Sequence, residues 1–311
     1  MPRTVTVGLD GSPESRAAAE WAAREAGLLG LPLKLVHVRE PAPEPVAQVP
    51  LLDAGAFRHR GATGAPPARG PERVAREAAG GIRLRHPGLD VTTEQPAGRP
   101  SEVLARAAGD AELLVLGSRG LGGLGGFLVG SVGLSVVAHA ERPVVLVRAA
   151  EQAPDEHEAD PAGVPSAGTP FRPVVLGLDI EDPHEELIGF AFAAARRRGT
   201  SLRVVHGWNP PASSVHALST VPGLCQSLAL RESARLTEVL RPWRRKFADV
   251  EAAEESSYGT VAGHLVDASR EASLVVVGRR IRRSPLGAHI GPVAHAVLHH
   301  AAAPVAVVPH A

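Results

Sequence analysis

The stretch that decides the fold is ELLVLGSRGLGGLGGFLVGSVGLSVVAHAERPVVLV, residues 112–147. It begins with an aliphatic run and passes through a loop that holds eight glycines in the seventeen residues 117–133. A helical segment and a second aliphatic run, residues 143–147, follow the loop. Short aliphatic runs that do not alternate with polar residues are typical of parallel strands covered by helices on both faces. The stretch therefore predicts a strand–loop–helix–strand unit of a doubly wound α/β domain.

The residues before this stretch continue the same alternation. We predict strands over residues 4–9, 33–38, 89–94, 112–116 and 143–147, and helices over 12–29, 71–85, 101–108 and 131–140. Ser12 and Pro13 have the residue types preferred at a helix N-cap and in a first helical turn. Residues 41–71 show no period and are predicted as a loop that is long for a compact domain.

The chain contains this unit twice. VTVGLD at residues 5–10 reappears as VVLGLD at 174–179, and HAERPVVLV at 139–147 reappears as HAAAPVAVV at 300–308. The order of the repeats predicts a tandem duplication, with one domain at residues 1–149 and a second at 171–311. Residues 150–170, rich in Pro, Ala, Gly and acidic residues, are predicted as a linker.

Composition excludes several classes of partner. Acidic and basic residues balance at 33 each, so no global charge favours nucleic acid or an anionic membrane. Cys225 is the only cysteine, which excludes an intrachain disulfide and fits a reducing compartment. The N-terminus enters a strand pattern without a signal-peptide pattern, and no apolar run reaches the ~20 residues of a membrane span. We expect a cytoplasmic protein.

The glycine loop has the properties of a phosphate site. It leaves the carboxyl end of the fourth strand, where open α/β sheets bind ligands, and leads into a helix N-terminus. The free N–H groups of Ser131, Val132 and Gly133 would carry partial positive charge there. Ser131 is the expected cap of this helix, and Arg119 would add a formal charge. The alternative is that the loop is only a flexible connection.

Two common phosphate motifs do not fit the loop. A Walker A motif needs a lysine, which the loop lacks, and the GxGxxG match at residues 120–125 follows the fourth strand instead of the first. A third spacing does fit: Gly117, Gly120, Gly130 and Ser131 form G-x2-G-x9-G-S. This pattern resembles that of the ATP-binding universal stress proteins. GLDGSPES at residues 8–15, LVHV at 35–38 and ERPVVLV at 141–147 are also similar to that family, and the resemblance covers nearly the whole chain apart from the linker and the 41–70 loop.

The resemblance implies a fold and a site. The fold is two tandem doubly wound domains, each a five-stranded parallel sheet of order 3-2-1-4-5 flanked by helices. ATP would be the ligand, with Mg²⁺ or Mn²⁺ bridging its phosphates. Asp10 would contact the adenosine, although a turn aspartate is the alternative for it, and Val38 would offer backbone hydrogen bonds to adenine. The full set of implied nucleotide-binding residues is Gly8, Leu9, Asp10, Ser12, Val38, Leu116, Gly117, Arg119, Gly120, Gly130, Ser131 and Val132.

The second copy departs from the pattern. Ile281 stands where the first copy has Gly120, and Pro292 stands where it has Ser131, so we expect a degenerate site. The arginines of this stretch either hold phosphate or belong to a solvated loop; they are Arg279, Arg280, Arg282 and Arg283. His295 and His299, with His289 and His300 nearby, suggest either a metal site or surface histidines, and the absence of an HExxH motif favours the second.

The sequence predicts a nucleotide-dependent stress-response regulator with an unknown protein partner. We identify no catalytic residues and expect no metal held by the protein alone. In the family the last strands pair, so an intramolecular pseudo-dimer is expected, with a further homodimer as an option. The alternatives are an ATP-cleaving or adenylyl-transferring enzyme of the wider adenine nucleotide α-hydrolase-like group, and a nucleotide-free interaction scaffold.

Overall fold

The structure is a computed structural model that describes residues 3–40, 71–120, 127–149, 151–164, 166–210, 223–281 and 289–311, with the backbone alone at 71, 72, 119, 120, 127 and 128. The predicted 41–70 loop, the middle of the glycine loop, Arg282 and Arg283 lie outside the described residues.

The first domain follows the predicted order of elements, with one additional short strand. Its elements are β1 (Val5–Leu9), α1 (Pro13–Leu29), β2 (Leu33–His37), α2 (Pro71–Arg85), β3 (Val91–Glu94), α3 (Pro100–Gly109), β4 (Leu113–Gly120), β5 (Phe127–Leu128), α4 (Ser131–His139) and β6 (Val144–Arg148). β4 extends four residues beyond its predicted end, because Arg119 and Gly120 pair antiparallel with β5. The first glycines of the loop are thus strand residues.

The second domain repeats this order. Its elements are β7 (Val174–Gly177), α5 (Glu185–Arg198), β8 (Leu202–Trp208), α6 (Leu224–Lys246), β9 (Ala252–Tyr258), α7 (Val261–Ala268), β10 (Leu274–Arg280), α8 (Pro292–His300) and β11 (Val305–His310). None of the helices in the described ranges is long and apolar enough to cross a membrane.

The sheet has the predicted topology in both domains. Neighbouring strands run in the order β3-β2-β1-β4-β6-β11-β10-β7-β8-β9. Each domain contributes five parallel strands in the order 3-2-1-4-5 of its main strands. The predicted α/β fold class, with two tandem domains, is confirmed.

The two half-sheets join through their last strands. β6 and β11 pair antiparallel, with Val145 opposite Ala306 and Leu146 opposite Val305. Each strand would otherwise be an edge with unpaired backbone groups. The pairing makes one continuous sheet, and the carboxyl ends of the strands point in opposite directions in the two domains.

Helices cover both faces of this sheet. One apolar core lies under α1, α2, α5 and α6, and the other lies under α3, α4, α7 and α8. Each core runs through both domains and is built mainly from Val, Leu and Ala. Burial on both faces explains why the strands read as unbroken aliphatic runs.

The segment between the domains packs against both of them. Residues Ala153–Glu156 form a 3-10 helix, and Glu156 is 2% exposed. Its carboxylate accepts a hydrogen bond from Nε of Arg24 in α1 at 3.0 Å. His157 forms a β-bridge with Phe171. The predicted linker is therefore a folded connection along the interface.

Candidate functional site

A cavity of about 520 Å³ lies at the carboxyl ends of β1, β2 and β4. The N-termini of α1 and α4 close it on two sides. The implied nucleotide-binding residues that the structure describes with their side chains line this cavity; they are Gly8, Leu9, Asp10, Ser12, Val38, Leu116, Gly117, Gly130, Ser131 and Val132. Arg119 and Gly120 end β4, where the structure describes the backbone alone.

The turn from β1 into α1 fixes the acidic side chain of the cavity. Oδ1 of Asp10 accepts hydrogen bonds from N and Oγ of Ser12 at 2.9 and 2.5 Å. Ser12 is the predicted N-cap, and its Oγ accepts from N of Ser15 at 3.1 Å. Gly11 has a φ of +85°, which lets the chain turn here without strain. Asp10 is thus a turn aspartate that also lines the cavity.

Two strand glycines allow close packing at the cavity floor. A Cβ on Gly117 would lie 2.5 Å from the carbonyl carbon of Glu14, at the start of α1. A Cβ on Gly8 would lie 2.7 Å from Leu116 and 3.1 Å from Leu104. A side chain at position 117 would push α1 away from β4, because its neighbours are backbone atoms, whereas a side chain at position 8 would require only the methyl groups of Leu116 and Leu104 to shift. Gly117 is therefore the glycine that the shape of the site needs.

The N-terminus of α4 opens into the cavity. Gly130 is its N-cap, with φ −60° and ψ 154°, and contributes no side-chain hydrogen bond. The expectation that Ser131 caps this helix is wrong: Ser131 is its first helical residue, because the extended residue before the helix is Gly130. The N–H groups of Ser131, Val132 and Gly133 have no intrahelical acceptors. Among the described residues, a Cβ on Gly130 would meet nothing within 4 Å, so the described part of the chain leaves room beside this N-cap.

Sequence reasoning missed several lining residues, namely Glu14, Ser15, His37, Arg39, Glu40, Pro100 and Leu104. His37 had a signal, because it recurs as His206 in the second copy. Nδ1 of His37 donates to the carbonyl of Leu9 at 2.8 Å, and Nδ1 of His206 donates to the carbonyl of Leu178 at 3.2 Å. Each histidine thus forms a hydrogen bond between the ends of two neighbouring strands. Val38 follows β2 directly, one residue beyond the observed end of the strand.

The corresponding cavity of the second domain is smaller, about 360 Å³. Pro292 is the first residue of α8 and has no N–H to offer there. The rings of His184 and His310 stack with centroids 3.7 Å apart, and a Cβ on Gly278 would lie 2.8 Å from His310. Burial lowers the pKa of His310, and nearby His184 lowers it further. An imidazole ring of the second domain thus lies next to Gly278, where the start of α1 lies next to the corresponding Gly117 in the first domain.

The two described arginines of the second copy, Arg279 and Arg280, have separate partners. Arg280 makes an ion pair with Asp182 at 3.0 Å at the rim of the second cavity. Arg279 is 5% exposed, and Nη1 donates to the carbonyl of Ala138 in α4 at 2.9 Å. Its Nη2 donates to the carbonyl of Ala140. For Arg279 both sequence-based alternatives, phosphate ligand and solvated loop residue, are wrong, because it lies in β10 and its side chain contacts the first domain.

The histidines of α8 were the candidate metal site. The rings of His295 and His299 lie 4.5 Å apart, so these residues share a helix face as expected. Within the described ranges, no three His, Cys, Asp or Glu residues are grouped as a metal ion would require.

Known proteins are similar to this chain in sequence and in fold. The family model described as "Universal stress protein family" matches residues 1–148 and again residues 170–309. A universal stress protein of Mycobacterium tuberculosis is 33% identical over 97% of this chain and 96% of its own length. One from Mycolicibacterium smegmatis is 30% identical over 98% and 96%. The crystal structure of a universal stress protein from Archaeoglobus fulgidus superposes with a TM-score of 0.65 at 16% identity, covering 99% of this chain and 98% of that one.

Proposed function

This chain belongs to the universal stress protein family, and we propose that its first domain binds ATP as a regulatory ligand. The proposal rests on one observation, which is that three parts of the first domain line the same cavity. The open N-terminus of α4, the Asp10 turn and the close approach at Gly117 meet in a single cavity. Gly117, Gly130 and Ser131, which line the cavity, belong to the G-x2-G-x9-G-S pattern that resembles that of the ATP-binding universal stress proteins.

The two ends of the cavity suit the two ends of a nucleotide. Leu104 and Leu116 provide apolar surface, and the backbone at Val38 offers hydrogen-bonding groups to a base. At the other end, the first N–H groups of α4 and its dipole favour phosphate, with a contribution of about 0.3–2 kcal/mol from the dipole. The volume is within the roughly 300–1,000 Å³ of small-molecule sites.

The cavity has acidic side chains as well as the N–H groups of α4, and this affects whether a metal ion would bind together with the nucleotide. Asp10, Glu14 and Glu40 are acidic residues that line it. Carboxylate and phosphate oxygens are the ligands that Mg²⁺ prefers, and Mg²⁺ commonly binds through one or two carboxylates together with substrate phosphates. A divalent ion brought in with the nucleotide would neutralise repulsion between these carboxylates and the phosphates. The donor set of the cavity therefore fits Mg²⁺ or Mn²⁺ held mainly by ATP.

We infer a regulator in preference to an enzyme. A general base must lie within hydrogen-bond reach of the proton that it removes. His37 donates from Nδ1 to a neutral carbonyl, that of Leu9, instead of to the carboxylate that orients the imidazole and stabilises the imidazolium in a Ser-His-Asp site. Oδ1 of Asp10 already accepts two hydrogen bonds from Ser12. Steady-state turnover should accordingly be slow. Turnover at the ~1–10³ s⁻¹ typical of enzymes would favour the ATP-cleaving alternative.

Nucleotide content tests the proposal. Mass spectrometry of the ligand released from purified protein, followed by titration with ATP, AMP and cyclic AMP, should identify an adenine nucleotide and rank ATP tightest. The variant Ser131→Ala leaves the backbone N–H in place and removes a hydroxyl, and a loss of about 1 kcal/mol, roughly fivefold in affinity, is expected. Protein that neither carries nor binds any adenine nucleotide would support a nucleotide-free scaffold.

A further inference from the structure

Arg279 crosses the interface between the domains. It belongs to β10 of the second domain, and its guanidinium reaches the last turn of α4 in the first. Nη1 lies 2.9 Å from the carbonyl oxygen of Ala138, and Nη2 bonds the carbonyl of Ala140, the C-cap residue. Burial lowers the pKa of Arg279, and nearby Glu141 opposes that change.

This contact supplies what the end of α4 needs. The last four carbonyl groups of a helix have no intrahelical partner, and the C-terminus carries partial negative charge. A buried guanidinium satisfies two carbonyls and places a positive charge beside them. α4 has nine residues, which corresponds to a length of about 14 Å. One of its ends bonds Arg279, and the other lines the first cavity at Ser131 and Val132.

A second contact joins the same parts of the two domains. Helix α8 of the second domain lies against β5, the short strand on which the glycine loop returns before α4. The segment before α4 and the C-terminal end of α4 are therefore both in contact with the second domain. Both contacts bracket the proposed phosphate-binding residues.

The reverse contact is missing at the matching position. The first-domain residue that corresponds to Arg279 is Ser118, 161 positions earlier. Its Oγ donates at 3.2 Å to the carbonyl of Val147, inside its own domain. The two copies thus differ at this position, and the helix that Arg279 contacts is the one whose loop has the complete G-x2-G-x9-G-S pattern.

We propose that Arg279 is a positioning residue for the phosphate-binding end of the first cavity, so that the second domain sets the affinity of the first for nucleotide phosphates. The inference rests on the proposed function and adds a regulator of that site. Movement of β10 relative to α4, for instance on binding of a partner to the second domain, would change phosphate affinity through this contact.

The inference is tested with variants that change the Arg279 side chain and with a ligand that lacks the phosphates. Affinities of wild type, Arg279→Lys and Arg279→Met are measured for ATP and for adenosine, which lacks phosphates. A positioning role predicts that Arg279→Met binds ATP about fivefold or more weakly and adenosine within about twofold of wild type. Arg279→Lys keeps the charge with a single ammonium group and should lie between them. This variant carries the test if Arg279→Met fails to fold.

The control is Arg172→Met. Arg172 also donates to a backbone carbonyl, that of Arg270 at 3.2 Å, but it bonds no residue of α4. Its ATP affinity should equal that of wild type. Equal losses for ATP and adenosine in the Arg279 variants, or no loss in either, would overturn the inference. Wild-type protein that binds neither ligand would instead refute the proposed function, and the inference with it.

Discussion

Arg198 of the second domain donates to the carboxylate of Glu25 in the first at 2.6 Å, and the exposed fractions of the two side chains are 0% and 2%. Arg197 lies 3.5 Å from the other carboxylate oxygen. The Arg198 guanidinium is also within 5.9 Å of the Trp21 ring centroid. The contact between α1 and α5 thus contains a buried ion pair, in addition to the strand pairing of β6 with β11.

Arg198→Met should destabilise the protein strongly. Removing one partner of a buried pair leaves an incompletely compensated charge, which typically costs about 3–5 kcal/mol. Urea denaturation monitored by circular dichroism measures the effect. Arg241→Met removes an exposed pair with Glu238 and should cost less than about 1 kcal/mol. The double variant Glu25→Met with Arg198→Met should recover part of the loss; equal stability of wild type and Arg198→Met would show that the pair is not compensating buried charge.

Glu151 should make stability depend on pH. Burial raises the pKa of its carboxyl to about 8, with nearby Glu156 and Asp155 adding to the rise. Because the folded pKa lies above the unfolded value, the stabilising contribution is complete below about pH 4.5. It is lost as the pH rises to about 8. The free energy of unfolding of wild type should therefore fall across this window, by at most about 1.4 kcal/mol for each pH unit.

The variant Glu151→Gln isolates this effect. It should match wild type near pH 4.5 and melt at a higher temperature than wild type at pH 9, because a neutral amide has no ionisation to suppress. Glu158→Gln changes an exposed carboxylate of the same segment. Its melting temperature should differ between pH 4.5 and pH 9 by as much as that of wild type. A Glu151→Gln protein with the same melting difference as wild type would assign the pH dependence to other groups.

Most of the fold could be predicted from sequence because its signals are local. The aliphatic strands and the repeat of residues 5–10 at 174–179 define the elements and the duplication. Helix α2 has its predicted bounds, and Ser12 caps α1 as its residue type suggests. The folded path of the linker was not predictable, because Glu156 is buried by contact with Arg24, a residue 132 positions earlier.

The site shows the same division. Residues on the motif, such as Gly117 and Gly130, line the cavity, since their spacing and the order of strands bring them together. The cap of α4 was misplaced by one residue, because a glycine with extended φ and ψ leaves no side-chain signal. The role of Arg279 depends on how two domains meet, and a single-domain pattern contains no information about that contact.

Gly117→Ala should disturb both fold and site. The added methyl group would lie 2.5–2.8 Å from backbone atoms of Glu14 and Ser15, and such overpacking costs about 1–3 kcal/mol. ATP affinity should fall as α1 is displaced from β4. Gly27→Ala, in the same helix with nothing within 4 Å of its added Cβ, should raise the melting temperature slightly. A Gly117→Ala protein with wild-type stability and affinity would show that the close approach is not needed.

Gly130→Asp and Gly130→Asn separate charge from size. Both side chains are better N-caps than glycine, by a few tenths of a kcal/mol, and no described residue lies within 4 Å of a Cβ at position 130. Both variants should therefore be at least as stable as wild type without ligand. Asp adds a carboxylate where we place phosphate, so its ATP affinity should fall further than that of Asn, by about tenfold or more. Thermal melting and titration with ATP measure the two quantities; equal affinities for the Asp and Asn variants would argue against phosphate at this helix end.

Calorimetric titration of the full chain with ATP tests the central claim most directly, when wild type is compared with Gly130→Asp and Gly291→Asp. Gly291 is the N-cap of α8, with φ −61° and ψ 155°, and, as at Gly130, no described residue lies within 4 Å of an added Cβ, so the two changes are matched. We predict one tight site per chain in wild type, its loss in Gly130→Asp, and an unchanged site in Gly291→Asp. Two equal tight sites in wild type, or loss of tight binding in Gly291→Asp but not in Gly130→Asp, would contradict the assignment of the nucleotide to the first domain.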